Sequence, residues 1–222
     1  MSHNWENPPP LPDRGDDDRD AVFLGVGKIM SAWETIEFEL SRLYSVFAGD
    51  PDGAAMRDYG KPTIARLRLD GLSEMADKFF IKRPSQDDEG EFLSILTSLR
   101  HFATRRNEVA HGIVFDTQPI TVFSQNFAPE VRGKPQYALI APYYQIKQHD
   151  DEGMPAYAYT SRTLGELIPA MAQPFLRLER FRRYLLGEKS STAPSKPSDQ
   201  QEKARRRNAL QRRARRRQRQ AR

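Results

Sequence analysis

The chain of 222 residues contains no cysteine. That excludes a disulfide scaffold, a thiolate zinc site and a cysteine nucleophile. It also lacks any apolar run approaching the roughly 20 residues that span a bilayer. The N-terminus, with Pro8, Pro9, Pro10 and Asp16, Asp17, Asp18, lacks the basic and apolar regions of a secretory signal. A cytoplasmic protein with no membrane partner is expected. His3, His101 and His149 show no ligand spacing with His111, so neither metal nor cofactor is predicted. Gly25-Val26-Gly27-Lys28 is not a phosphate loop, because its glycine spacing is wrong and no strand precedes it.

What the chain has in excess is positive charge, and that charge is local. The formal net charge is +5. Residues 188–222 carry thirteen basic side chains against three acidic ones, a surplus of ten. Residues 1–20 carry two against six, and residues 21–187 carry 20 against 21. The body is therefore neutral and the tail strongly basic.

Three regions follow. Residues 1–19, rich in Pro and Asp, read as a disordered start. Residues 20–187 read as one mostly helical domain. Residues 188–222 read as a Ser/Pro linker followed by a disordered Arg-rich tail. In that tail Arg205, Arg206, Arg207, Arg212, Arg213, Arg215, Arg216 and Arg217 are the candidate nucleic-acid contacts. Such a tail holds phosphates in a salt-dependent way and reads little sequence.

Within the body, apolar residues recur at helical spacing from Asp20 to Phe47, around Val22, Ile29, Trp33, Ile36, Leu40 and Leu43. A second helix is predicted from about Thr63 to Ile81. A third starts near Asp88, where Asp88 and Glu91 are spaced as a capping box, and ends at Gly112. Residues 113–160 turn to short β-branched and aromatic runs at 113–115, 121–123, 137–140, 143–146 and 156–159, interrupted by prolines. A last helix runs from Thr163, capped by Thr163 and Glu166, to about Leu186, with Pro169 and Pro174 expected to kink or break it. The expectation is an all-α fold, a four-helix bundle with a small antiparallel β insertion between the third and fourth helices.

One segment concentrates chemistry: Arg105-Arg106-Asn107-Glu108-Val109-Ala110-His111-Gly112. On a helical projection Arg106 falls inside the apolar stripe of Phe92, Ile95, Leu96, Leu99, Phe102 and Ala103, whereas Arg105 and Glu108 face away. Asn107 and His111, one turn apart, border the stripe. A buried, unpaired arginine costs about 3–5 kcal/mol, so Arg106 requires a carboxylate or a wet groove. Glu37, at the edge of the first helix's apolar face, is the candidate partner. A plainer reading remains beside this one: His111 caps the helix end, and Arg106 serves only an ion pair. The tyrosines at 137, 143, 144, 157 and 159 either pack on a helix or stack bases.

Arg106-Asn107-Glu108-Val109-Ala110-His111-Gly112, at the end of a third helix, resembles the signature of the HEPN superfamily: arginine, a polar residue, further intervening residues, then histidine. The resemblance implies an all-α domain that dimerises so that two third helices share a cleft. It implies in many members a metal-independent ribonuclease of toxin–antitoxin, defence or RNA-processing systems, and in others a non-catalytic binding module. Carried onto this chain, it makes Arg106 and His111 catalytic with Asn107 assisting them; Glu37, as the candidate partner of Arg106, and Glu108 are the supporting residues. RNA, a second copy and an antitoxin or regulatory protein are the expected partners. The chemistry suits the residue types. Histidine works as acid or base near neutral pH, and arginine offers planar, permanent donors to phosphate oxygens.

Overall fold

A 30-residue helix, α1, runs from Arg19 to Ala48 in the computed structural model, which describes residues 5–51, 53–151 and 153–188. After it come α2 (Ala54–Gly60), α3 (Ala65–Lys82), α4 (Gln86–His111), β1 (Ile113–Asp116), α5 (Thr121–Asn126), β2 (Tyr137–Ile140), β3 (Ala158–Tyr159) and α6 (Ser161–Leu185). The fold is predominantly helical with a small antiparallel sheet, as the periodicity predicts. The Arg-rich tail assigned to nucleic acid, Arg205 to Arg217, lies outside the described residues. The described residues divide into two units, one formed by 5–38 with 99–175, the other by 39–98 with 176–188.

The second unit is built on aromatic packing. Phe47 lies 5.1 Å from Phe79 and 5.2 Å, edge on, from Phe92, while Phe92 stacks near Phe181 at 6.4 Å. These are the separations at which ring pairs add to simple burial, about 0.5–1.5 kcal/mol each. Leu69, Leu72, Ala76 and Phe80 form the buried side of α3. Ion pairs join helices here. Arg182 of α6 donates to Glu39 of α1, both almost fully buried, and Arg177 meets Glu91 at 3.0 Å. The helix α2 lies between the first and second predicted helices, where the sequence predicts no element. It is tied down by the Asp50 carboxylate accepting from the Ala55 amide at 2.9 Å, and by Tyr59 against Tyr44. The start of α4 differs from the expected Asp88–Glu91 box. The helix begins two residues earlier, at Gln86, and Ser85 Oγ accepts from the Asp88 amide at 3.3 Å.

The first unit contains the sheet, in the order β1-β2-β3. β1 pairs with β2 in the register Ile113↔Ile140 and Phe115↔Ala138, and β2 with β3 in the register Leu139↔Tyr159. Alternation along a strand sends successive side chains to opposite faces. Ala138, Ile140 and Ala158 turn to a core of Phe123, Phe127 and Val131. Leu139 turns the other way, towards the end of α4. A Cβ on Gly112 would sit 2.8 Å from its Cγ, so the glycine that ends α4 is needed for close approach of the sheet.

Two of the five predicted strand runs are not strands. Residues 121–126 form α5, because the Phe123 and Phe127 rings spaced by one helical turn both reach the small core. Residues 143–146 form an exposed turn leading into a 3₁₀ segment, Ile146–Gln148. The last helix begins at Ser161. Thr160 and Thr163 cap it reciprocally, the Thr160 amide donating to Thr163 Oγ1 at 2.8 Å and the Thr163 amide to Thr160 Oγ1 at 3.3 Å. Glu166 pairs instead with Arg162. Pro169 and Pro174 lie inside α6 without ending it.

The expectation of a disordered start over 1–19 is corrected for its described part. Trp5 is buried, Asp16 exchanges two backbone hydrogen bonds of 2.8 Å with Tyr137, and the Asp16 carboxylate accepts from the Ser161 amide and hydroxyl. Gln136, fully buried, accepts from the Gly15 amide at 3.0 Å and donates to Asp17 at 2.9 Å. The acidic residues that suggested disorder are acceptors for the start of α6 and for β2. Composition cannot show that role.

Candidate functional site

The last two turns of α4 have two sides of opposite character. On one, Asn107 and His111 are exposed and Arg106 is partly exposed, its side chain retaining 22% of its accessibility. Spacing of i, i+4 brings Asn107 and His111 to the same strip of surface. The Arg106 guanidinium donates to Asn107 Oδ1 at 3.2 Å, so the residues of the motif are joined by a hydrogen bond. Its ion pair is with Glu34 of α1, at 3.8 Å, and the Glu34 side chain is 64% exposed. A long, wet pair of this kind contributes at most about 1 kcal/mol. Arg106 Nε has no hydrogen-bond partner among the described residues. Of five N–H donors, the protein firmly engages few.

Glu37, the predicted partner, lies one turn further along α1. It is buried and accepts from Trp33 Nε1 at 3.1 Å. The carboxylate paired with Arg106 is therefore Glu34, on the water-exposed side of α1. Its exposed position is what keeps the pair loose.

The other side of the same turns is closed. Arg105 and Glu108, predicted to face away from the core, are buried. Arg105 NH2 lies 2.8 Å from Glu108 Oε1. Tyr159 of β3 donates its hydroxyl to Glu108 Oε2 at 2.5 Å, and Tyr157 donates to the Glu108 main-chain oxygen at 3.4 Å. The reason for the correction is the sheet. The face of β2 and β3 that carries Leu139 and Tyr159 covers the side of α4 that a bundle alone leaves to water. Burial pushes the Glu108 carboxyl above the usual carboxylate range, opposed by the Tyr159 hydrogen bond and the Arg105 charge. Burial beside the Glu108 charge likewise pushes both tyrosine hydroxyls well above their ordinary range. Arg105 Nε and NH1 have no hydrogen-bond partner among the described residues, so Glu108 is the group that balances this charge. Such a pair is costly to break, because either member alone is a buried, unpaired charge.

Arg105 and the two tyrosines were missed as members of one network. Two signals pointed to them. Arg105 and Glu108 are spaced i, i+3, and Tyr157 and Tyr159 are spaced i, i+2, which gives two hydroxyls on one strand face that require partners when buried.

A short loop adjoins the open side. Gln145 Nε2 donates to the main-chain oxygen of His111 at 3.4 Å, satisfying a carbonyl at the end of α4. Tyr143, Tyr144 and Ile146 of this loop are exposed. Among the described residues no group of His, Asp and Glu is arranged to hold a metal ion, and no helix is long and apolar enough to cross a membrane. Comparison with protein-family models, with curated proteins and with solved structures finds no match to this chain.

Proposed function

We propose that the protein is a HEPN-like, metal-independent endoribonuclease in which Arg106 and His111 are the catalytic residues. The single observation that carries the reading is the open side of α4. Asn107 and His111 share one accessible strip, and among the described residues the partly exposed Arg106 is held by Asn107 of that strip and by a loose pair with exposed Glu34.

The reaction is attack of a ribose 2′-oxygen on the adjacent phosphorus. The 2′-O–P bond forms and the P–O5′ bond breaks. A base takes the 2′-hydroxyl proton, an acid gives a proton to the departing 5′-oxygen, and the products are a 2′,3′-cyclic phosphate and a 5′-hydroxyl. His111 supplies acid or base, Arg106 supplies donors to the nonbridging oxygens as charge develops, and Asn107 orients the Arg106 guanidinium. A second copy would bring a second His111 for the complementary proton transfer, so the working form is a homodimer. Glu108 is a positioning residue: with Arg105 and Tyr159 it fixes the turn from which Arg106 and His111 project. The Arg-rich tail tethers RNA through phosphates. A toxin or defence role, with an antitoxin or other regulatory partner, fits such an activity.

The test is cleavage of RNA in the presence of EDTA, with the product ends analysed. Cyclic phosphate ends are expected, together with loss of cleavage when the nucleotide 5′ to the scissile bond is 2′-deoxy. Cleavage of the deoxy substrate at the same bond would overturn the reading. A second reading is a non-catalytic HEPN-fold binding or regulatory module, favoured by the Arg106–Glu34 pair, which a purely structural arginine would also make. That reading predicts no cyclic product at all.

A further inference from the structure

We propose that Tyr143 and Tyr144 form a stacking platform for one unpaired base of the RNA strand whose phosphate lies at Arg106 and His111. The inference rests on the ribonuclease reading for the position of the phosphate, and it assigns the determinant of which nucleotides can enter.

The two rings are among the most exposed large side chains of the described residues, at 83% and 78%, and they are adjacent in sequence. Isolated exposed apolar residues need no explanation, but contiguous ones mark contact surfaces. The loop that carries them is braced. The Gln145 amide donates to the Pro142 oxygen at 2.9 Å, the Gln148 amide to the Gln145 oxygen at 2.8 Å, and the Ala156 amide to the Gln148 oxygen at 2.8 Å. His149 packs edge-on against Tyr143, with ring centroids 5.8 Å apart, and its Nδ1 lies 3.0 Å from the Gln145 oxygen. A ring supported in this way loses little conformational freedom when a base lands on it. The Gln145–His111 hydrogen bond places this braced loop at the helix end that bears the histidine. Every base presents a π-face, so an aromatic platform beside a phosphate-binding arginine selects strands whose bases are free of a duplex, with little regard to base identity. The loop carries an exposed cation, Lys147, and the helix whose end it touches carries the partly exposed Arg106, which matches a polyanionic strand.

The test uses the full chain carrying His111→Ala, so that RNA is bound without being cut. The probe is a short unstructured RNA with 2-aminopurine placed at successive positions. At one position the fluorescence is expected to fall on binding. In the same background, Tyr143→Ala with Tyr144→Ala should abolish that fall and weaken binding by about 5- to 150-fold for each base that stacks. Replacement of both tyrosines by Trp should restore it, whereas a variant that is merely misfolded would not be rescued. An RNA abasic at that position should bind the parent and the Ala variant equally. The measurement is made at raised salt, where phosphate contacts of the tail fade and stacking persists.

Equal quenching and affinity in the Ala variant overturn the platform. So does a change in oligomeric state with no change in quenching, which would make the loop a protein contact. The two readings fail separately. Tyrosine-dependent quenching without any RNA cleavage by the unsubstituted protein keeps the platform and removes the nuclease. His111-dependent cleavage indifferent to both tyrosines does the reverse.

Discussion

The two sides of the last turns of α4 hold the same kinds of residue in opposite circumstances. Arg105 and Glu108 are an arginine and its carboxylate under a sheet. Arg106 and Glu34 are an arginine and its carboxylate in contact with water. Adjacent positions on one helix point about 100° apart, so neighbouring arginines meet different environments and acquire different work. The buried pair, completed by the Tyr159 hydroxyl, holds the helix end to the sheet. The open arginine, linked to Asn107, which lies one turn from His111, keeps donors available to a ligand. A site that must bind an anion needs both: donors left unspent, and a frame that keeps them in place.

The largest expected effect breaks the open side alone. Arg106→Ala should lower RNA cleavage by about 10²–10³-fold, the scale of losing one donor to developing charge. Its thermal unfolding should move little, because the pair it removes is exposed. A matching loss of stability in calorimetry would show that Arg106 is a structural residue.

Next comes the buried side. Arg105→Ala leaves Glu108 buried without its ion pair and should cost about 3–5 kcal/mol in denaturant unfolding. If the variant is as stable as the parent, the contrast between the two arginines collapses. Tyr159→Phe keeps the ring and removes a hydrogen bond to a charged acceptor, an expected loss of about 1.5–3 kcal/mol. Gly112→Ala brings a methyl against Leu139 and should cost about 1–3 kcal/mol by overpacking. That substitution sharpens the comparison because it disturbs the sheet contact without touching any charge.

The smallest effect is one of pH. The folded protein holds Tyr157 and Tyr159 protonated beyond their ordinary range, whereas the unfolded chain releases those protons near pH 10. Their contribution is therefore complete below about pH 10 and is lost as pH rises further. Unfolding midpoints measured across that window should fall with pH, and Tyr159→Phe should flatten the fall.

How much of this was legible in the sequence follows from the same contrast. Helices α1, α3, α4 and α6 were readable because each buries one face over many turns, and the repeat survives small errors of boundary. The motif on α4 was readable because its residues are contiguous. What failed depended on distant partners. The helical projection put Arg106 in the core and Arg105 outside because it counted only the bundle side of α4. Strands β2 and β3, which lie 32 to 54 positions after Arg105, cover the opposite side and reverse the assignment. The Asp-rich start was misread for the same reason. Asp16 and Asp17 are acceptors for Ser161 and Gln136, and a local window contains neither. Residues 121–123 carry a strand-like composition, but two phenylalanines spaced by four, Phe123 and Phe127, favour a helical turn once a small core receives both.

The most direct measurement is the rate of RNA cleavage by His111→Ala protein, in EDTA, beside unsubstituted protein of the same purity and the same unfolding midpoint. The substitution is expected to leave the midpoint unchanged and to lower the rate by about 10²–10⁴-fold, the range for removing a general acid or base. An unchanged rate would contradict the catalytic role of His111.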